Sequence, residues 1–215
     1  MAITAAQVKE LRDKTGAGIM DAKKALTETD GDVEKAAEYL RQKGITSAEK
    51  KMGRVASEGT IASYIHNGKI GVLIEVNCET DFVAKTDEFK GLVKDICLHI
   101  ASSAPEFISR DEIPASVIEE EKRIESGKAD LAGKPPQIVE KIVTGRVDKL
   151  MASKVLLEQP FIKSPDVTIE QMIKDKIVKT GEKISIRRFT RYVLGEGIEK
   201  KVDNFAEEVK NQMNQ

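Results

Sequence analysis

The chain has no tryptophan, three tyrosines and six phenylalanines in 215 residues, so its interior has to be filled mainly by aliphatic side chains. Its two cysteines, Cys78 and Cys97, are too few for a disulfide framework and lack zinc-site spacing. They read as buried, reduced thiols of a cytoplasmic protein. The two histidines, His66 and His99, are isolated and make neither a metal site nor a catalytic triad. No charge sign is in excess: 35 Lys and Arg against 36 Asp and Glu give a net charge of -1, without the surplus of a dedicated nucleic-acid binder. No run approaches the roughly 18 apolar residues of a membrane span. Met1-Ala2-Ile3-Thr4 lacks the basic and apolar regions of a signal peptide. Gly16-Ala17-Gly18 has no following Lys-Ser/Thr and no preceding strand, so it is no phosphate loop, and no Gly-x-Ser-x-Gly nucleophile occurs. Glu75 and Glu79 are a carboxylate pair without a recognisable cleft. The expectation is a protein that is not an enzyme, holds no metal or cofactor and does not enter a membrane.

What is present begins with a helical unit over residues 1–54. Thr4 and Gln7 make a capping-box pair ahead of Val8 and Leu11, so a helix is expected from Thr4 until Thr15-Gly16-Ala17-Gly18. Ile19, Ala22, Ala25 and Leu26 mark a second short helix. Asp30-Gly31-Asp32 reads as a turn with Asp32 as N-cap, and Val33, Ala36, Ala37 and Leu40 give a third helix stopped by Gly44. Three short helices with Ala-rich faces make a compact bundle of the ubiquitin-associated (UBA-like) type. A bundle this small is marginal alone and suits a docking unit. Glu49-Lys50-Lys51-Met52-Gly53-Arg54 reads as a polar linker, a solvated connection rather than an RNA contact.

Two strand-like runs, residues 59–66 and 70–78, flank Asn67-Gly68, the strongest short hairpin signal. Phe89, Leu92, Val93, Ile96, Cys97 and Ile100 then recur at helical spacing, with Thr86 as N-cap and Asp87 and Glu88 at the positive end. Between strand and helix lies Thr80-Asp81-Phe82-Val83-Ala84-Lys85. If the helix runs back through Thr80, Phe82 continues its apolar stripe and belongs to the core. If Thr86 starts the helix, Phe82 is an aromatic on a protruding turn beside an acid.

Past a break at Ser102-Ser103-Ala104-Pro105, two helices are expected from about Pro114 and from Pro135-Pro136, both prolines suiting first-turn positions. They make a projecting helical hairpin over residues 114–158, whose loop at 126–134 has few apolar anchors and is expected to be mobile. Pro160 and Pro165 frame a further loop, and residues 167–179 a helix ending at Gly181. Residues 183–194 read as the last strand, and Val202, Phe205, Ala206 and Val209 as a terminal amphipathic helix.

Three segments carry a resemblance. Asn77-Cys78-Glu79-Thr80-Asp81-Phe82-Val83-Ala84-Lys85 resembles the T-D-F-V-A-K signature of the elongation factor Ts family, the guanine-nucleotide exchange factors of elongation factor Tu. Residues 8–26 resemble that family's N-terminal signature, and Gly195-Glu196-Gly197-Ile198-Glu199-Lys200 its last turn. The resemblance implies that Phe82 wedges into the partner's nucleotide domain and dislodges its Mg²⁺. Asp81 would then act near the metal site, with Thr80 and Val83 fixing the turn. It implies docking contacts at Arg12, Ile19, Met20 and Lys23, although physics alone would make these an ordinary solvated face. The partner would be elongation factor Tu, GDP-bound and nucleotide-free, with no nucleotide bound directly by this chain.

The expected fold is α+β: a UBA-like three-helix bundle (1–54), a small antiparallel sheet covered by helices with the projecting hairpin (55–195), and a C-terminal helical module (196–215). Longer family members have two pseudo-repeated core halves, whereas this chain reads as one hairpin and one late strand. A homodimer joined through the sheet, in a complex of two factors with two partners, is therefore expected. The alternative reading is an RNA-binding protein using Arg187, Arg188 and Arg191 interleaved with Phe189 and Tyr192.

Overall fold

The computed structural model describes residues 3–15 and 17–198; the expected terminal helix at Val202, Phe205, Ala206 and Val209 lies outside the described residues. The first helices follow their local signals. Thr4 N–H donates to Gln7 Oε1 at 3.0 Å while Gln7 N–H donates to Thr4 Oγ1 at 3.3 Å, opening α1 (Ala5–Thr15). After α2 (Ile19–Glu28), Asp30 and Gly31 turn at φ 54° and 83°, and Asp32 caps α3 through the Lys35 N–H at 3.0 Å. Leu11, Ala22, Ala25, Leu26 and Ala36 close the bundle core, the small alanines letting the helices approach.

α3 does not stop at Gly44. It runs from Val33 to Met52, so most of the expected linker is helix. Ala48, one turn past the glycine, is buried in the main core, and this stretch packs on a late helix. Burial there outweighs the roughly 1 kcal/mol that a mid-helix glycine costs.

Beyond Gly53 come β1 (Glu58–His66), β2 (Ile70–Cys78), the one-turn α4 (Asp81–Ala84) and α5 (Asp87–Ser103). There follow α6 (Ala115–Ser126), α7 (Pro136–Lys154), the short strands β3 (Pro160–Phe161) and β4 (Ser164–Thr168), α8 (Ile169–Thr180) and β5 (Ile184–Val193). The sheet has the order β1-β2-β5 and is antiparallel throughout. Asn67 and Gly68, at φ 49° and 66°, give the hairpin turn the twist that its strands need. Val72, Ile74, Val76 and Cys78 of β2 and Ile184 and Ile186 of β5 face α5 and α8, which bring Phe89, Leu92, Ile96, Ile100, Ile169, Ile173 and Ile177. No described element covers the other face, where Ile61, Ile65, Leu73 and Tyr192 remain more than half exposed.

A bulge breaks the alternation of β5. Glu75 pairs with Arg188 but Val76 pairs with Ile186, which leaves Arg187 as an extra residue. Ile184 and Ile186 point inward before it and Phe189 packs inward after it, while Arg187 and Arg188 both stay on the open face.

The helical hairpin has its own apolar seam of Ile113, Val143, Val147, Met151 and Val155. Its loop is better anchored than its polar sequence implied. Leu131 is 4% exposed, Arg146 pairs with Asp130, and Arg146 Nη1 lies 3.5 Å from the Glu125 carboxylate. One leucine in a polar stretch gives no periodic signal, so pattern reading passes over it. Two further expectations change at the hairpin's base. The loop framed by Pro160 and Pro165 is the β3–β4 pair, and the helix expected from residue 167 begins at Ile169, where Thr168 accepts the Gln171 N–H at 3.2 Å.

A candidate partner-binding turn

Two N-caps decide how the Thr80–Lys85 segment is built. Thr80 Oγ1 accepts the Val83 N–H at 3.4 Å and Thr86 Oγ1 accepts the Phe89 N–H at 3.2 Å. The Thr86 hydroxyl also donates to Val83 O at 2.7 Å, closing α4 as it opens α5. The helix therefore restarts rather than running through, and the two phenylalanines part company. Phe89 is 1% exposed and Phe82 is 80% exposed. Val83 and Ala84 on the opposite side pack on the core and hold α4 down.

Asp81, beside Phe82, bonds Lys85 Nζ at 2.6 Å across one helical turn. The Lys85 hydrogen bond holds the Asp81 carboxyl below its ordinary range and raises the Lys85 ammonium in return. Behind the turn, Cys78 Sγ–H donates to Thr80 O at 3.1 Å, and burial pushes that thiol up. Residues that no local sequence signal marks complete the base. Thr80 donates its hydroxyl to Glu182 Oε1 at 2.6 Å and its N–H to Glu182 Oε2 at 3.0 Å. Lys183 N–H donates to Glu79 Oε1 at 2.7 Å, and Arg54 Nη1 lies 3.4 Å from the same carboxylate. The Lys183 N–H, and then Arg54, hold Glu79 below its ordinary range against the effect of burial. No sequence signal marks Glu182, because its partner lies 102 residues earlier.

Arg12 is exposed in the last turn of α1, and Lys23 is exposed on α2 with Ile19 and Met20, which are 57% and 76% exposed in its first turn. All four point to solvent. The arginines of β5 are engaged within the fold. Arg188 Nε and Arg187 Nη1 bond Glu75 at 2.7 and 3.2 Å, and Arg191 donates to Ala101 O at 3.3 and 3.2 Å. The bulge turns Phe189 inward, so the interleaved arginines and aromatics do not form one stacking face. Glu75 and Glu79 face different partners and make no acid/base pair. His99 is fully buried: its Nε2 donates to Gln159 Oε1 at 2.8 Å and its Nδ1 accepts the Ile162 N–H at 3.4 Å. Among the described residues no group of three or more His, Cys, Asp or Glu is placed to hold a metal ion. Nor, among the described residues, is any helix long and apolar enough to cross a membrane.

An exposed aromatic on a turn anchored from behind, with a helical bundle carrying a second exposed apolar pair, is the build of a protein that acts by contact with another. Comparison with known proteins gives that class a name. The profile of the family described as Elongation factor TS matches residues 4–196. The Elongation factor Ts of Alkaliphilus metalliredigens is 59% identical over 213 residues, 99% of each chain. That of Alkaliphilus oremlandii is 58% identical over 215 residues and the full length of both, and that of Geobacter sulfurreducens 57% over 210 residues and 97% of both. The chain belongs to the elongation factor Ts family, the nucleotide exchange factors of elongation factor Tu in translation elongation.

Proposed function

We propose that the chain drives GDP release from elongation factor Tu with the Thr80-Asp81-Phe82-Val83 turn, by displacing the partner's Mg²⁺. The observation that supports this most is an aromatic 80% exposed on a turn whose other side is fixed to the core. A bound Mg²⁺ demands near-ideal octahedral geometry and tolerates little movement of its ligands. A factor that binds the nucleotide-free partner more tightly than the loaded one weakens the nucleotide by linkage, and needs no catalytic group and no nucleotide site of its own. Phe82 is the wedge, Asp81 acts beside the metal site, and Thr80 and Val83 hold the turn. Arg12, Ile19, Met20 and Lys23 are the contacts of a UBA-like docking module whose third helix runs on into the α+β core, with residues 196–215 as a C-terminal module. The work is done in the cytoplasm, where elongation takes place.

The open face of the sheet supports the assembly reading. Ile61, Ile65, Leu73 and Tyr192 form an apolar patch on strands β1, β2 and β5 with polar Ser63 and Thr190 between them. A second copy seated there makes a homodimer and a complex of two factors with two partners. The direct test mixes the chain with elongation factor Tu carrying labelled GDP. Release no faster than the spontaneous rate ends the reading. A monomer by light scattering at micromolar concentration, with full exchange activity, ends the dimer.

A further inference from the structure

The turn cannot set its own direction. α4 is a single turn, far below the length at which a helix is stable alone. Its capping bond, Val83 N–H to Thr80 Oγ1, is long at 3.4 Å. What fixes the Thr80 hydroxyl is the carboxylate behind it. Because Oγ1 donates to Glu182 at 2.6 Å, its proton points away from α4 and its lone pairs are left facing the Val83 N–H. The same carboxylate takes the Thr80 N–H at 3.0 Å through its second oxygen. Glu182 is itself placed by Gly181, which ends α8 at φ 77°, a conformation that glycine adopts freely.

The next residue returns the bond, with Lys183 N–H on Glu79 at 2.7 Å. Residues 79–80 and 182–183 are thus held together by three hydrogen bonds across more than a hundred residues. Lys183 Nζ also donates to Arg54 O at 2.8 Å, tying in the segment that leaves α3. We infer that Glu182 is a positioning residue for nucleotide exchange: through Thr80 it sets the direction in which Phe82 leaves the core. The inference rests on the reading of the turn as the exchange element. Glu182 acts by pre-organisation, so that the ring does not have to be ordered during the encounter with the partner.

The test uses the full chain with three readouts: labelled GDP release from elongation factor Tu, the thermal midpoint, and amide hydrogen exchange at Thr80 and Val83. Glu182→Ala is expected to speed exchange of both amides and to slow GDP release roughly tenfold, as loss of charge-assisted hydrogen bonds does, with a small change in midpoint. Glu182→Gln keeps one acceptor oxygen and should fall between. Glu182→Ala combined with Phe82→Ala should be no slower than Phe82→Ala alone, because a misdirected ring and a missing ring are the same loss. Wild-type release by Glu182→Ala, or effects that multiply in the double variant, overturns the inference. Should Glu182→Ala fail to fold, Thr80→Val carries the test, and wild-type release by that variant overturns it equally. If the unmodified chain does not accelerate release at all, the exchange reading fails. Amide exchange still decides whether Glu182 holds the turn, and protection unchanged in Glu182→Ala refutes it.

Discussion

Replacing Phe82 by alanine separates the two roles that its surroundings permit. With 80% of the residue in water, the free chain has about a fifth of its surface to lose. A buried phenylalanine costs about 3–5 kcal/mol on truncation, so scaling by burial leaves below about 1 kcal/mol here. For a chain of this length that is a shift of roughly 2–4 °C or less. Phe89→Ala, at 1% exposure, is the internal standard and should forfeit the full amount and melt far lower. Against the partner the order reverses. A central aromatic anchor is worth about 2 kcal/mol or more, a loss of about thirtyfold. The assay is stopped-flow release of labelled GDP at fixed factor concentration, normalised to the folded fraction. A Phe82→Ala chain that melts far below the parent, yet exchanges normally per folded molecule, refutes the wedge.

Asp81→Ala should slow release in the same direction but less, since the carboxylate is half exposed and its charge is already met by Lys85. Removing residues 1–32 should weaken the partner complex and spare the core, whereas removal through residue 54 also strips Ala48 from the main core and should lower the melting midpoint. Leu73→Glu, in the middle strand of the open face, should leave the fold intact and yield a monomer by light scattering. His99 should give the fold an acid limb. Burial lowers its pKa from 6.5 against the opposing Gln159 bond, so the unfolded chain takes the proton first. Stability is full above about pH 6.5 and falls as pH drops toward the folded pKa, where protonated Nδ1 would face the Ile162 N–H. Urea midpoints measured across that range should lose this slope in His99→Leu.

What the sequence displays well is what a few neighbouring residues decide. Thr4 with Gln7, Asp32, Thr86 and Asn67-Gly68 all act within four residues, and each caps or turns the chain where its chemistry says. The exposure of Phe82 follows from such a local event, the restart of the helix at Thr86, and so is legible in sequence as one of two alternatives. What stays hidden depends on distant chain. Gly44 lies inside a helix because Ala48 finds a place in a core assembled later. The inward turn of Phe189 depends on a bulge opposite Glu75, and no period-two pattern contains it. The grip of Glu182 on Thr80 joins two loops whose own composition is unremarked polar turn. The arginine-rich strand misleads for the opposite reason: its composition is suggestive, but the bulge turns Phe189 to the face opposite Tyr192, while Arg187 and Arg188 share Glu75 and Arg191 bonds Ala101 O.

The continuity of α3 has a consequence for how two contacts combine. A helix of 20 residues is about 30 Å long at 1.5 Å per residue. It starts in the bundle that carries Met20 and ends against α8, beside the loop that holds the turn. A flexible tether would spread the second contact over a cloud of positions and dilute it with length. A helical strut confines it to one bearing. If, as proposed, the bundle and Phe82 both touch the partner, the strut presents Phe82 at a single distance, and its local concentration is set by geometry rather than by chain statistics. Two weak contacts then add almost without entropic loss. On that proposal a partner whose two surfaces are spaced differently gains nothing from the second, and the length of this helix acts as a ruler for recognition.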